Sequence, residues 1–363
     1  MDKIRFMVVS GFLGAGKTTT MIALAEYMDR NIGKSAIIAN DLGANLVDTS
    51  LTKTSGCTVA EIGNDCICYQ MDNTVDHIRR MRDKEGATFV MSDIPGCGVG
   101  ALDHVYGALR DENDDEFTLS PFMVVVDPER LRMIMPERAD INLPEELVYL
   151  LKLQLEEADL IVLNKIDLLD GPTVERYMGF LREACPDIPV MAISAKERTG
   201  ISELAAYLTT HETALKNFSV RNNKEFAEAE AKLAWYNRRL YFKSKNGGTF
   251  DCNAVVDDLI EDIRMGLIER KRNVPHLKTF ATSEGGDFSK ASLIGVDYDT
   301  EYAQKFAQDH ENMRMIINAR AVCESRPLAR LMDDALDEVC EQHDLDCQVF
   351  FTECFGMADE GRR

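Results

Sequence analysis

The chain has 363 residues, of which 45% are hydrophobic and 28% charged, proportions that support a packed core and exclude wholesale disorder. Its 62 acidic residues outnumber 41 basic ones, giving a net charge of -21, which argues against non-specific adhesion to nucleic acid or to an anionic membrane. No apolar stretch reaches the roughly 18 residues that span a bilayer, and 10 cysteines without a secretory signal fit reduced thiols, so a cytoplasmic setting is expected.

Lys3 and Arg5 ahead of Phe6-Met7-Val8-Val9 give the start of the chain the look of a short targeting signal. Gly11, Gly14, Gly16 and Lys17 break that run at once, so a first strand is the better reading. From there to about residue 210, short apolar runs alternate with amphipathic stretches. Strands are predicted at 4–10, 35–39, 88–91, 122–126, 160–163 and 190–193, with helices at 18–29, 73–83, 144–157, 173–184 and 201–209. The alternation implies an α/β domain, a mostly parallel sheet with helices on both faces and its strand C-termini along one ligand-binding rim.

After His211 the texture changes to a polar helical stretch, read as a connector. Beyond it come a strand at 239–243, a helix at 255–270, strands at 276–281, 289–296 and 314–319, a helix at 327–343 and a strand at 348–353. The expected division is therefore a first domain at 1–212, a connecting helix at 213–236 and a smaller C-terminal α+β domain at 237–363.

Between the first strand and first helix, Gly11-Phe12-Leu13-Gly14-Ala15-Gly16-Lys17-Thr18 matches G-x-x-x-x-G-K-[ST], the P-loop of nucleotide-binding proteins. The glycines let backbone N–H groups turn inward around a β-phosphate, and the helix start adds its positive end. Lys17 should reach the β- and γ-phosphates, and the Thr18 hydroxyl should ligate Mg2+, with Thr19 beside it. Asn164-Lys165-Ile166-Asp167 follows the strand at 160–163. An aspartate there accepts two hydrogen bonds from guanine, N1–H and the exocyclic amine, and adenine offers neither in that geometry. Asn164 and Lys165 would brace the loop and cover the base, while Ser194 and Ala195 stand where a backbone N–H can meet guanine O6. Ser92-Asp93-Ile94-Pro95-Gly96 ends another strand: Asp93 can hold Mg2+ through water, and the Gly96 N–H can sense the γ-phosphate.

With these motifs assembled, the chain resembles the CobW/HypB/UreG family of P-loop GTPases, its CobW-like branch most closely. The resemblance rests on residues 11–19, Asn40-Asp41-Leu42-Gly43 with Asp48, Gly63-Asn64-Asp65-Cys66-Ile67-Cys68, Asp93 to Gly96, and Asn164 to Asp167. It implies GTP hydrolysis coupled to delivery of a metal, or of a metal-containing cofactor such as a corrinoid, to a client enzyme. Asp41 and Asp93 stand where the family carries glutamates, and the family's Cys-x-Cys-Cys reads Cys66-Ile67-Cys68-Tyr69.

Two thiolates alone make an open site for a soft divalent ion such as Zn2+ or Co2+. Cys97, directly after Gly96, is the candidate to replace the missing thiolate, with Asp41 a further ligand; packing as small hydrophobes is the competing reading. Cys347 and Cys354, an odd number apart on one predicted strand, are expected on opposite faces. The acidic run 111–116 reads as a solvated loop.

The expectation is a Mg2+-dependent GTPase of slow intrinsic turnover, with Lys17, Asp41 and Asp93 as its catalytic groups and no arginine finger assignable. Its partners would be GTP and GDP, a client metalloenzyme or corrinoid protein, and a second copy in a nucleotide-dependent homodimer. The alternatives are a regulatory GTPase that gates a client without carrying metal, and a P-loop phosphotransferase.

Overall fold

A computed structural model describes residues 3–11, 14–40, 57–62, 67, 71–94, 99–113, 115–136, 145–220, 223–272, 274 and 276–356. Internal contacts divide the chain into two compact units, with the main division between Phe226 and Ala227.

The first unit carries β1 (Ile4–Gly11), β2 (Ser35–Asn40), β3 (Val59–Ile62), β4 (Phe89–Asp93), β5 (Phe117–Leu119), β6 (Met123–Val126), β7 (Leu160–Leu163) and β8 (Val190–Ala192). Their order is β3-β2-β4-β1-β6-β7-β8, with β5 also on β1, and every pairing is parallel. β4, β6 and β7 are buried along their whole length, which is why β6 and β7 read as unbroken apolar runs and β4 as one up to Met91. The chain leaves β1 at the point where the strand order turns from β4 on one side to β6 on the other, the usual place for a ligand in an open α/β sheet.

The same unit contains α1 (Lys17–Asn31), α2 (Met71–Glu85), a π-helical turn (Leu102–Tyr106) running into α3 (Gly107–Asn113), α4 (Pro128–Arg132), α5 (Glu145–Glu157), α6 (Gly171–Ala184) and α7 (Ile201–Thr210). Strands β3 and β5 and the helical segments between 102 and 132 were not anticipated from sequence. Pro121 separates β5 from β6, so β1 changes partner midway. The Val8 N–H between the two pairings donates to the buried Tyr106 hydroxyl at 2.9 Å, leaving no orphaned donor there. The acidic run is not simply solvated either. Residues 107–113 are helical, and Glu116 binds Arg79 at 2.7 Å and Arg82 at 3.5 Å.

The connecting helix expected over 213–236 forms only as α8 (Lys224–Ala231). Phe218, Val220 and Phe226 pack in a small cluster with Val99 and Leu153, which holds the preceding chain in an irregular path. Leu233 already opens a strand.

The second unit is antiparallel. It contains β9 (Leu233–Ser244), α9 (Cys252–Glu269), β10 (His276–Thr282), β11 (Phe288–Leu293), β12 (Glu301–Gln304), β13 (Asn312–Val322), α10 (Ser325–Gln342) and β14 (Leu345–Gly356). The sheet order is β12-β11-β10-β13-β9-β14. Alternate residues of β9 and β13, among them Tyr236, Phe242, Met315 and Ile317, share one core with Val256, Leu259 and Ile263 of α9 and Leu331 and Leu336 of α10. This is the α+β arrangement expected. The parity argument for Cys347 and Cys354 fails: the β14 register skips Phe350, a bulge, so the two pair with Phe242 and Tyr236 and both pack against the helix-covered core. One unpaired residue restores an even spacing.

Candidate functional site

The phosphate loop springs from the C-terminal end of β1 and closes on Gly16, the residue before α1, at φ 93. A Cβ on Gly16 would stand 2.5 Å from Asn164 Nδ2, so both backbone sign and space require glycine. The Gly16 carbonyl accepts the Thr20 N–H at 2.8 Å and the Thr20 hydroxyl at 2.9 Å, which sets the first turn of α1. Thr18 lies buried in that turn and Ala15 is fully buried, while Thr19 is half-buried. Lys17 Nζ donates to the Gly11 carbonyl at 3.1 Å. Gln154 of α5 reaches the same carbonyl at 3.4 Å.

The Asn164 to Asp167 turn, predicted to meet the base, is tied to this loop by one side chain. Asn164, at the end of β7 and 3% exposed, donates from Nδ2 to the Ala15 carbonyl at 2.8 Å and accepts the Ala195 N–H on Oδ1 at 2.9 Å. It thereby clasps three segments that follow β1, β7 and β8. Lys165 takes a left-handed conformation at φ 60 and turns the chain so that Asp167 is exposed. The buried Ser194 hydroxyl donates to Asp167 Oδ1 at 2.6 Å and accepts the Glu197 N–H at 3.0 Å, orienting the carboxylate. The Ala195 N–H, one of the backbone groups offered to guanine O6, donates to Asn164 instead.

Asp93 ends β4 as the register partner of Val9 and is 6% exposed, so its carboxylate lies on the same rim as the phosphate loop. Downstream, Glu157 at the end of α5 accepts the Gly100 and Leu102 N–H groups, each at 2.8 Å, and fixes the start of the helical segment that follows the predicted γ-phosphate sensor. Burial pushes its carboxyl up to about 7, against the pull of those two donors. Asp41, Cys66, Cys68, Gly96 and Cys97 lie outside the described residues. Among the described residues no cluster of three or more His, Cys, Asp or Glu is gathered for a metal.

Sequence reasoning missed Gln154, Glu157 and Arg130. For Arg130 a signal existed: Asp127-Pro128 is a helix start, and the Asp127 carboxylate caps α4 by accepting the N–H groups of Glu129 and Arg130.

A glycine-bounded loop after a central parallel strand, fastened to an Asn-Lys-x-Asp turn two strands away, defines a P-loop nucleotide-binding protein. Residues 5–192, just over half of the chain, match the CobW/HypB/UreG nucleotide-binding domain, and the chain belongs to that family. The zinc chaperone CobW of Pseudomonas aeruginosa is 29% identical over 211 residues, 51% of this chain and 55% of its own length. Zinc-regulated GTPase metalloprotein activator 1 of Schizosaccharomyces pombe is 25% identical over 180 residues, 47% of this chain and 41% of its own. The chain spans about half the length of these curated relatives. The solved Zn(II)-bound YjiA GTPase from E. coli aligns over 92% of this chain and 99% of its own at 14% identity, with a TM-score of 0.36. No helix among the described residues is long and apolar enough to cross a membrane.

Proposed function

We propose that the protein is a Mg2+-dependent GTPase that couples its nucleotide state to delivery of a metal or metal-containing cofactor to a client enzyme. The observation that carries the nucleotide half is the Asp167 carboxylate, oriented by Ser194 on a loop that Asn164 fastens to Ala15 of the phosphate loop. A guanine donates its N1–H and exocyclic amine to that carboxylate; adenine leaves it unpaired. Lys17 exchanges the Gly11 carbonyl for the β- and γ-phosphates, and the start of α1 presents its backbone N–H groups to them.

Thr18 in the first turn of α1 and Asp93 at the end of β4 offer buried oxygen donors, a chemistry that suits a hard cation, and these two would hold Mg2+. The ion supplies charge neutralisation on the phosphate oxygens when bound. Lys17, Asp41 and Asp93 are the groups to which turnover is assigned, Asp41 orienting water. The nucleotide test is competition binding. Wild type should prefer GTP over ATP by several powers of ten, and Asp167→Asn should lose GTP and gain xanthosine triphosphate, whose C2 carbonyl accepts from the new amide. Equal affinity for ATP would sink the guanine reading.

The delivery half is supported by the relatives named as zinc chaperones and by Cys66 and Cys68, with Cys97 as third thiolate. GTP turnover is to be measured with and without stoichiometric Zn2+ or Co2+, beside a Cys66→Ser/Cys68→Ser variant. A metal response abolished in the variant supports delivery. Tyr69, in the place of the family's third thiolate, favours a second reading: a GTPase that gates a client, such as a corrinoid enzyme, without binding metal itself. Turnover unchanged by metal would select it.

A further inference from the structure

Arg130 is 2% exposed, and its guanidinium occupies the space that a side chain on Gly14 of the phosphate loop would fill. A Cβ there would stand 2.3 Å from Arg130 Nη2 and 2.9 Å from Cζ. The capped start of α4 carries the arginine to this place, because β6 lies beside β1 in the sheet. Among the described residues its ion pair is with Asp127, Nη1 to Oδ1 at 3.5 Å. Neither Nη1 nor Nη2 makes a hydrogen bond among the described residues. A buried cation with unpaired donors is unfavourable, and unsatisfied groups of this kind mark missing ligands. Lys17 rests on the Gly11 carbonyl; among the described residues neither Nη of Arg130 has such an acceptor.

We propose that Arg130 is a phosphate-binding residue of this site, supplied by the chain itself, whose Nη1 and Nη2 groups donate to the phosphates of a bound nucleoside triphosphate. The inference rests on the GTP-binding reading. It explains Gly14 as the residue that makes room for the guanidinium, and it gives a chain of net charge -21 a second local cation beside Lys17. Guanidinium matches phosphate with parallel donors better than a point charge does.

The test uses the whole chain, with Mg2+ and a fluorescent GTP analogue, and compares wild type with Arg130→Met, which keeps the apolar stem. GTP affinity should fall on the order of tenfold to a hundredfold, as for loss of hydrogen bonds to a charged group. The preference for GTP over ATP should be unchanged, while the melting temperature without nucleotide should fall, since the buried Asp127 carboxylate loses its cation. Arg130→Met binding GTP within twofold of wild type would overturn the proposal and leave Arg130 as a packing partner of Asp127. If Arg130→Met does not fold, Arg130→Gln is measured against the same two outcomes. Wild type binding no GTP at all would instead remove the GTP reading, and this inference with it.

Discussion

Replacing Asn164 with alanine should separate the three loops of the nucleotide site. The side chain makes one bond to the Ala15 carbonyl at 2.8 Å and one from the Ala195 N–H at 2.9 Å, and Ala15 and Ala195 are 0% and 1% exposed. Truncation leaves a carbonyl and an N–H unpaired in that environment, and each such group costs about 1–3 kcal/mol. A water entering the vacated space would recover part of this, so the expected loss is about 3 kcal/mol. Asn164→Asp should do worse, because it keeps an acceptor for Ala195 but sets a carboxylate oxygen against the Ala15 carbonyl. The order of stability is therefore wild type, Asn164→Ala, Asn164→Asp. The chain's one tryptophan, Trp235, lies on β9 of the second unit, so fluorescence would report the wrong unit. Native-state hydrogen exchange at β1 and α1, with denaturant, is the suitable assay. Protection in Asn164→Ala within about 0.5 kcal/mol of wild type, the range of an ordinary surface substitution, would refute the clasp.

The other expectations concern the same unit. Gly14→Ala places its Cβ 2.3 Å from Arg130 Nη2 at φ 80, so it should destabilise by about 1–3 kcal/mol. Arg130→Met should relieve the steric part, and a double-mutant cycle by thermal unfolding that shows simple additivity would contradict the contact. Glu157 has its folded carboxyl pushed up from the ordinary 4.5 to about 7. Between those values the folded chain keeps a proton that the unfolded chain has released, so stability falls as pH rises through the window, by about 3 kcal/mol in total. Glu157→Gln has no proton to lose. The unfolding free energy of wild type minus that of Glu157→Gln should decrease by most of that amount between pH 5 and 7.5, and a flat difference would show the carboxyl titrating normally.

What the sequence disclosed and what it hid divide along a physical line. β1, β4, β6 and β7 were visible because central parallel strands bury both faces and so carry mostly apolar residues. The phosphate loop and the turn that begins at Asn164 were visible because backbone sign at Gly16 and the two bonds of the Asn164 amide restrict the residue there. β12, a short polar edge strand with an exposed face, had no such constraint to reveal it. The helix over 213–236 was overestimated because Ala, Glu and Lys favour helices locally, while Phe218 and Val220 are held by Val99 and Leu153, a contact no local window contains. Cys347 and Cys354 show the limit of a period-two argument: it holds only until one bulged residue, here Phe350, resets the phase. Arg130 combines both limits. Its helix start could be read from Asp127-Pro128, but its burial at Gly14 follows from β6 lying against β1, which is decided by strand order across the sheet. A search of the sequence for an arginine near the motifs therefore fails, because the arginine reaches the phosphate loop through the sheet rather than along the chain.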